Sequence, residues 1–171
     1  TCGNDCRTGN LIEKLIAARL RCGSMEVALV AVVGNRADRY RELVFLRDSE
    51  LRLVVDPLDE IGENPDVETV VRAAELAKKE AVDFIIGIGG GSPMDASKAI
   101  AVLTANPEAD AEILFTDPSA KALPVVEIPT TAGTGSEVTQ YAILTLHEKR
   151  TKNGIVQPIF ATVSFLDPKY M

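Results

Sequence analysis

Apolar and polar positions alternate along this chain in blocks of two lengths, one suited to helices and one to strands. Leu11, Leu15, Ala18 and Cys22, with Ile12 and Ile16 alongside, recur at helical spacing, and Gly23 is a natural stop. Residues 27–33 form an unbroken apolar run of strand length that closes at Gly34-Asn35. Residues 37–46 are polar and read as a helix, and residues 51–55 as a short strand ended by Asp56-Pro57. Asp66 is placed to cap a helix whose apolar positions are Val67, Val70, Val71, Ala74, Leu76 and Ala77. Residues 84–88 predict a buried strand that runs straight into Gly89-Gly90-Gly91-Ser92, with a helix over 94–104 behind it. Residues 123–128 predict another buried strand, and 141–146 and 159–166 further ones, while the polar stretch 106–120 reads as a linker.

Apolar runs without alternation are what parallel strands need when helices cover both faces. Strand and helix units at this spacing predict one doubly wound α/β domain over residues 1–171. The length fits one globular domain or part of a larger protein, and the 46% hydrophobic content is enough for a core. With 18 Lys+Arg against 25 Asp+Glu, the net charge is 18 − 25 = −7, which argues against nucleic acid as a partner. No apolar run reaches the roughly 18–20 residues that span a bilayer, so no membrane role is expected. The start Thr1-Cys2-Gly3-Asn4-Asp5 has no basic or apolar leader, which points to a cytoplasmic protein, and it lacks Met, which points to a trimmed chain. Cys2, Cys6 and Cys22 are odd in number and read as reduced thiols, although Cys2 and Cys6 could pair or share a metal. The chain holds one histidine, His147.

Two loops carry candidate chemistry. In the first, a buried strand ends in Gly89-Gly90-Gly91-Ser92 and a helix follows at once. Glycines let bare N–H groups approach a ligand, and the helix start adds free N–H groups and a positive dipole end of roughly half a charge. Ser92 can act as N-cap or donate to a phosphate, and Pro93 suits the first helical position. Physically this is a pyrophosphate cradle. The spacing is neither G-x-G-x-x-G nor a Walker loop, and a tight turn whose glycines serve packing alone remains the alternative. The second loop, Pro129-Thr130-Thr131-Ala132-Gly133-Thr134-Gly135-Ser136-Glu137, also follows a buried strand and should open on the same sheet edge. Small hydroxyl residues there can hydrogen-bond a nucleotide without filling its space.

Several motifs resemble the iron-containing (group III) alcohol dehydrogenase family: GENPDVETV at 62–70, DFIIGIGGGSPMDASKAIA at 83–101, LPVVEIPTTAGTGSEVT at 123–139 and KNGIVQPIFATVSFLDPKYM at 152–171. The resemblance runs from about Leu51 to the end. It implies a Rossmann-like nucleotide-binding domain that precedes a helical metal domain, and an NAD(P)-dependent oxidoreductase. By that resemblance Gly90, Gly91 and Ser92 hold the pyrophosphate with Asp95 beside it, and Thr130, Thr131 and Thr134 contact the dinucleotide. Lys152 approaches the nicotinamide ribose, and Leu166 lies in the segment lining the same site. The family's metal, iron or zinc, is held by one Asp and three His on the helical domain. With His147 alone, this chain is expected to bind no metal, and Asp167 reads as the turn before that domain. Residues 1–50 fit the family's opening poorly. Their segment from Thr8 to Asp38 resembles the start of glycinamide ribonucleotide formyltransferases, here taken as a divergent βα unit.

The expected function is thus the NAD- or NADP-binding portion of a metal-dependent alcohol dehydrogenase that interconverts a small alcohol with an aldehyde or ketone. Catalytic residues are expected elsewhere, and this chain alone is expected to be inactive. The alternative is a non-catalytic nucleotide-binding or assembly module that pairs as a homo-oligomer through the exposed cleft face.

Overall fold

The computed structural model describes the backbone of residues 27–33 and 51–54 and, in full, residues 65–168. Predicted helices at 11–22 and 37–46, the three cysteines and the first residues of the 62–70 motif lie outside the described residues. The described chain runs β1 (Val27–Val33), β2 (Leu51–Val54), α1 (Val67–Lys79), β3 (Phe84–Gly89), α2 (Gly91–Ala105), α3 (Ile113–Thr116), β4 (Val125–Pro129), a 3-10 turn (Ser136–Val138), β5 (Ile143–Leu146), β6 (Thr151–Gly154) and β7 (Val163–Ser164).

Five strands form one sheet in the order β2-β1-β3-β4-β7, and every pairing in it is parallel. Parallel neighbours need long crossovers, and α1 and α2 supply two of them. Helix α1 starts where the sequence places its cap: the Asp66 carboxylate accepts from the Thr69 amide at 2.7 Å. Its apolar stripe, Val70, Ala73, Ala74 and Ala77, is buried in the core it shares with α2. Helix α2 is buried almost all round, from Met94 and Ala96 through Leu103. Because strand side chains alternate faces, Ile85 and Val125 pack into this core. Gly87 and Glu127, paired in register, share that face and lie beneath α2.

Three expectations change. Residues 106–120 are no linker. They form turns and α3, where Leu114 is fully buried, and Gln157 donates to the carbonyls of Ile113 at 2.8 Å and Asp117 at 2.6 Å. Polar composition concealed a segment whose larger apolar residues, Ile113, Leu114 and Phe115, pack into the core. Residues 143–146 do not join the parallel sheet. The short turn His147–Arg150 can connect only antiparallel strands, so β5 pairs with β6 in a hairpin. Of the predicted strand 159–166 only Val163–Ser164 pairs, along the sheet edge, and Phe160 and Leu166 stay exposed.

Candidate functional site

The carboxyl ends of β3 and β4 are neighbours, so the loops that follow them meet. Gly89 leaves β3 at φ 144°, a backbone region open mainly to glycine. Its carbonyl accepts from the Thr130 amide at 2.8 Å, joining the base of the threonine loop to that of the glycine loop. Helix α2 then starts at Gly91 with Gly90 as N-cap, two to three residues before the predicted start. Ser92 and Pro93 therefore sit inside the first turn rather than at the cap and the first position. No side chain caps this helix. Its positive end opens between the two loops.

The gap between them is narrow. A Cβ on Gly90 would lie 3.3 Å from Thr131 Oγ1, and one on Gly91 would lie 3.2 Å from Thr134 Cγ2. A methyl group on either glycine would press into the threonine loop and fill the space over the helix start. Thr131 and Thr134 are exposed, whereas Gly90, Gly91, Ser92 and Thr130 are half-buried. Bare backbone, a free helix start and hydroxyls on the facing wall match the needs of a diphosphate. The donor set fits that group.

Asp95 lies on the next turn of α2, and both its oxygens are engaged. One accepts from Ser136 Oγ at 2.8 Å and the other from the Ile143 amide at 2.9 Å. It thereby fixes the threonine loop and the β5–β6 hairpin to the helix. Burial raises its carboxyl above the usual range, and the two hydrogen bonds and Lys98 oppose that rise. Lys152 lies exposed on β6 opposite Thr145, on the same hairpin. Leu166 is exposed just past β7, on the sheet edge where both loops open.

Beneath the loops sit two groups that the motif reading passed over. Lys98 and Glu127 have fully buried side chains, with Lys98 Nζ 3.9 Å from Glu127 Oε1. The ammonium donates to the carbonyls of Ser136 at 2.7 Å, Thr139 at 2.8 Å and Tyr141 at 3.0 Å. Neither Glu127 oxygen has a hydrogen-bond partner, and the Ser97 hydroxyl beside it is committed to the Met94 carbonyl at 2.7 Å. Burial therefore lifts the Glu127 carboxyl to about 8, against the pull of the Lys98 charge. Burial likewise pushes the Lys98 ammonium down, opposed by Glu127, Asp95 and Glu137. A signal for both was present: each interrupts an otherwise apolar run, Lys98 in the buried helix and Glu127 in the strand.

At the opposite end of the hairpin, His147 Nε2 lies 3.7 Å from Asp66 Oδ2, with Glu68 nearby. Ligand atoms of the three come within 4.8 Å of one another, the one such group among the described residues. They are largely exposed and sit at the positive start of α1, which disfavours a cation. This arrangement does not fit the one-Asp, three-His set that the resemblance calls for.

A parallel α/β sheet with a glycine loop and a hydroxyl loop at one carboxyl edge defines the class: a ligand-receiving unit of an open α/β protein. Comparison with known proteins narrows it. The profile for iron-containing alcohol dehydrogenase matches residues 12–168. The chain is 38% identical over 120 residues to a mitochondrial hydroxyacid-oxoacid transhydrogenase of Caenorhabditis elegans, covering 64% of this chain and 26% of that one. It is 38% identical over 117 residues to lactaldehyde reductase of Escherichia coli, covering 66% and 31%. A solved iron-containing alcohol dehydrogenase superposes with a TM-score of 0.77 at 38% identity, over 95% of this chain and 44% of that one. Sulfoacetaldehyde reductase from Bifidobacterium kashiwanohense, solved in complex with NAD+, superposes at 0.75 with 29% identity, over 98% and 44%. This chain belongs to the iron-containing alcohol dehydrogenase family and corresponds to its N-terminal portion. It spans about a quarter to a third of the curated relatives' length and under half of the solved structures. The profile begins at residue 12, so it takes in most of the segment 1–50 that the motifs alone had set apart. Among the described residues, no helix is long and apolar enough to cross a membrane.

Proposed function

We propose that residues 1–171 act as a single dinucleotide-binding α/β domain, the part of a metal-dependent alcohol dehydrogenase that holds NAD or NADP. One observation carries this reading: the glycine and threonine loops open together over the uncapped start of α2, at a spacing that Cβ atoms on Gly90 and Gly91 would close. Gly90, Gly91 and Ser92 hold the pyrophosphate, and Thr130, Thr131 and Thr134 line the facing wall. Asp95 braces both loops from behind. Lys152 reaches toward the nicotinamide ribose and Leu166 borders the same site. The bound nicotinamide supplies hydride exchange at its C4 with a small alcohol or its carbonyl partner. The metal that polarises the substrate oxygen is not held by this chain's described residues.

The test is direct. The 171-residue chain is titrated with NADH and NADPH, followed by fluorescence, alongside Gly91→Asp. The substitution puts a carboxylate where the diphosphate lies and crowds Thr134, so binding should weaken at least about a hundredfold, roughly 3 kcal/mol. Equal affinity in both proteins would sink the cradle. The purified chain should turn over no alcohol with added iron or zinc, and measurable metal-dependent turnover would refute that part. A second reading, an assembly module, is favoured by the exposed apolar side chains Val138, Tyr141, Ile143, Phe160 and Leu166. Absence of dinucleotide binding together with a dimeric mass in solution would select it.

A further inference from the structure

The diphosphate cradle has two walls, and only one is rigid by construction. The glycine wall is the end of β3 and the start of α2, held by sheet pairing and helical bonding. The other wall is an irregular segment from 130 to 142 whose described regular structure is one 3-10 turn. Something must fix its shape, because an irregular loop keeps its backbone groups paired only through partners elsewhere.

Three of those bonds converge on one atom. Lys98 Nζ sends its three hydrogens to three carbonyls of this segment, at 2.7, 2.8 and 3.0 Å. An ammonium has three donors and no acceptor, so its bonding capacity is filled by the loop alone. Leu or Met would fill the same buried slot at much lower desolvation cost. A cation there is explained by what it organises. Asp95, one turn earlier on α2, adds the Ser136 hydroxyl and the Ile143 amide on either side of the same segment.

We propose that Lys98 is a positioning residue for the dinucleotide site: its buried ammonium gathers the carbonyls of Ser136, Thr139 and Tyr141 and so holds the threonine wall at the spacing that admits a diphosphate. This rests on the dinucleotide reading above. The titratable groups around it are Asp95 on its own helix, Glu127 on β4 and Glu137 in the 3-10 turn. When Lys98 loses its proton, the amine has two hydrogens for three carbonyls. One carbonyl is released, and the wall loosens.

Two measurements on the full chain test this. The first is amide hydrogen exchange without ligand, corrected for intrinsic rates, comparing residues 130–142 with α1 in the native chain and in Lys98→Met. Exchange in 130–142 should speed up about tenfold, the loss of one charge-assisted bond, with α1 much less affected. The second is NADH affinity at pH 7, where Lys98→Met should bind about tenfold more weakly and Lys98→Arg, which keeps the charge and the donors, should recover part of that loss. Unchanged loop exchange in a folded Lys98→Met overturns the proposal, as does native-like affinity in that variant. Should Lys98→Met fail to fold, Lys98→Gln takes its place, and native-like loop exchange or native-like affinity in that variant overturns the proposal equally. A native chain that binds no NADH refutes the dinucleotide reading, while loop exchange still judges Lys98.

Discussion

Gly87 lies mid-way along β3, where α2 crosses closest to the sheet, and replacing it with alanine measures how tightly the glycine loop's two supports are joined. A Cβ there would sit 2.7 Å from Ser97 Oγ, 3.1 Å from Ser97 Cβ and 3.2 Å from the Pro93 carbonyl. The first contact can be relieved only by turning a hydroxyl that now donates to Met94 at 2.7 Å. The third involves backbone and can be relieved only by moving the helix. Overpacking of this kind costs about 1–3 kcal/mol, and losing the hydroxyl's bond adds about 1. Reduced freedom of the unfolded chain returns about 0.4–1 kcal/mol. The net expectation is about 2 kcal/mol, or about 4–8 °C in the thermal midpoint for a chain this size. Thermal and urea unfolding of Gly87→Ala, Ser97→Ala and the double variant form the assay. Ser97→Ala removes the atom at 2.7 Å, so the double variant should recover part of the loss, with a coupling of about 1 kcal/mol. A Gly87→Ala midpoint within a degree of the native one, or strict additivity, would refute the claim that α2 rests directly on this glycine.

Other tests address the buried carboxyl and the supposed linker. Glu127 keeps its proton in the folded chain up to about 8, against 4.5 ordinarily. Between those values the unfolded chain ionises and the folded one does not, so stability from this group is full below 4.5 and is lost as pH rises toward 8. At roughly 1.4 kcal/mol per pH unit the loss reaches several kcal/mol. Glu127→Gln should therefore gain on the native chain across that window in denaturant melts, and parallel curves would contradict the assignment. Leu114→Ala should cost about 2–5 kcal/mol if residues 106–120 belong to the core, as full burial of Leu114 requires. A cost below about 0.5 kcal/mol would return that segment to linker status.

The sequence alone determined the parallel α/β class, because unbroken apolar runs of strand length are stable only between two covered faces. It also located α1 from the Asp66 cap, and the glycine and threonine loops at the ends of their strands, since each is a local signal between neighbouring residues. Tertiary structure decided what depends on distant partners. Hairpin pairing took 143–146 out of the parallel sheet, because a four-residue turn can reverse the chain but cannot cross over it. Leu114 and Gln157 drew residues 106–120 into the core although their neighbours are polar. Lys98 is in plain view in the sequence, yet its three carbonyls come from residues 38 to 43 positions away. No local pattern records which irregular loop will fold over a buried charge. Only the packing of α2 against the end of β4 brings the two together.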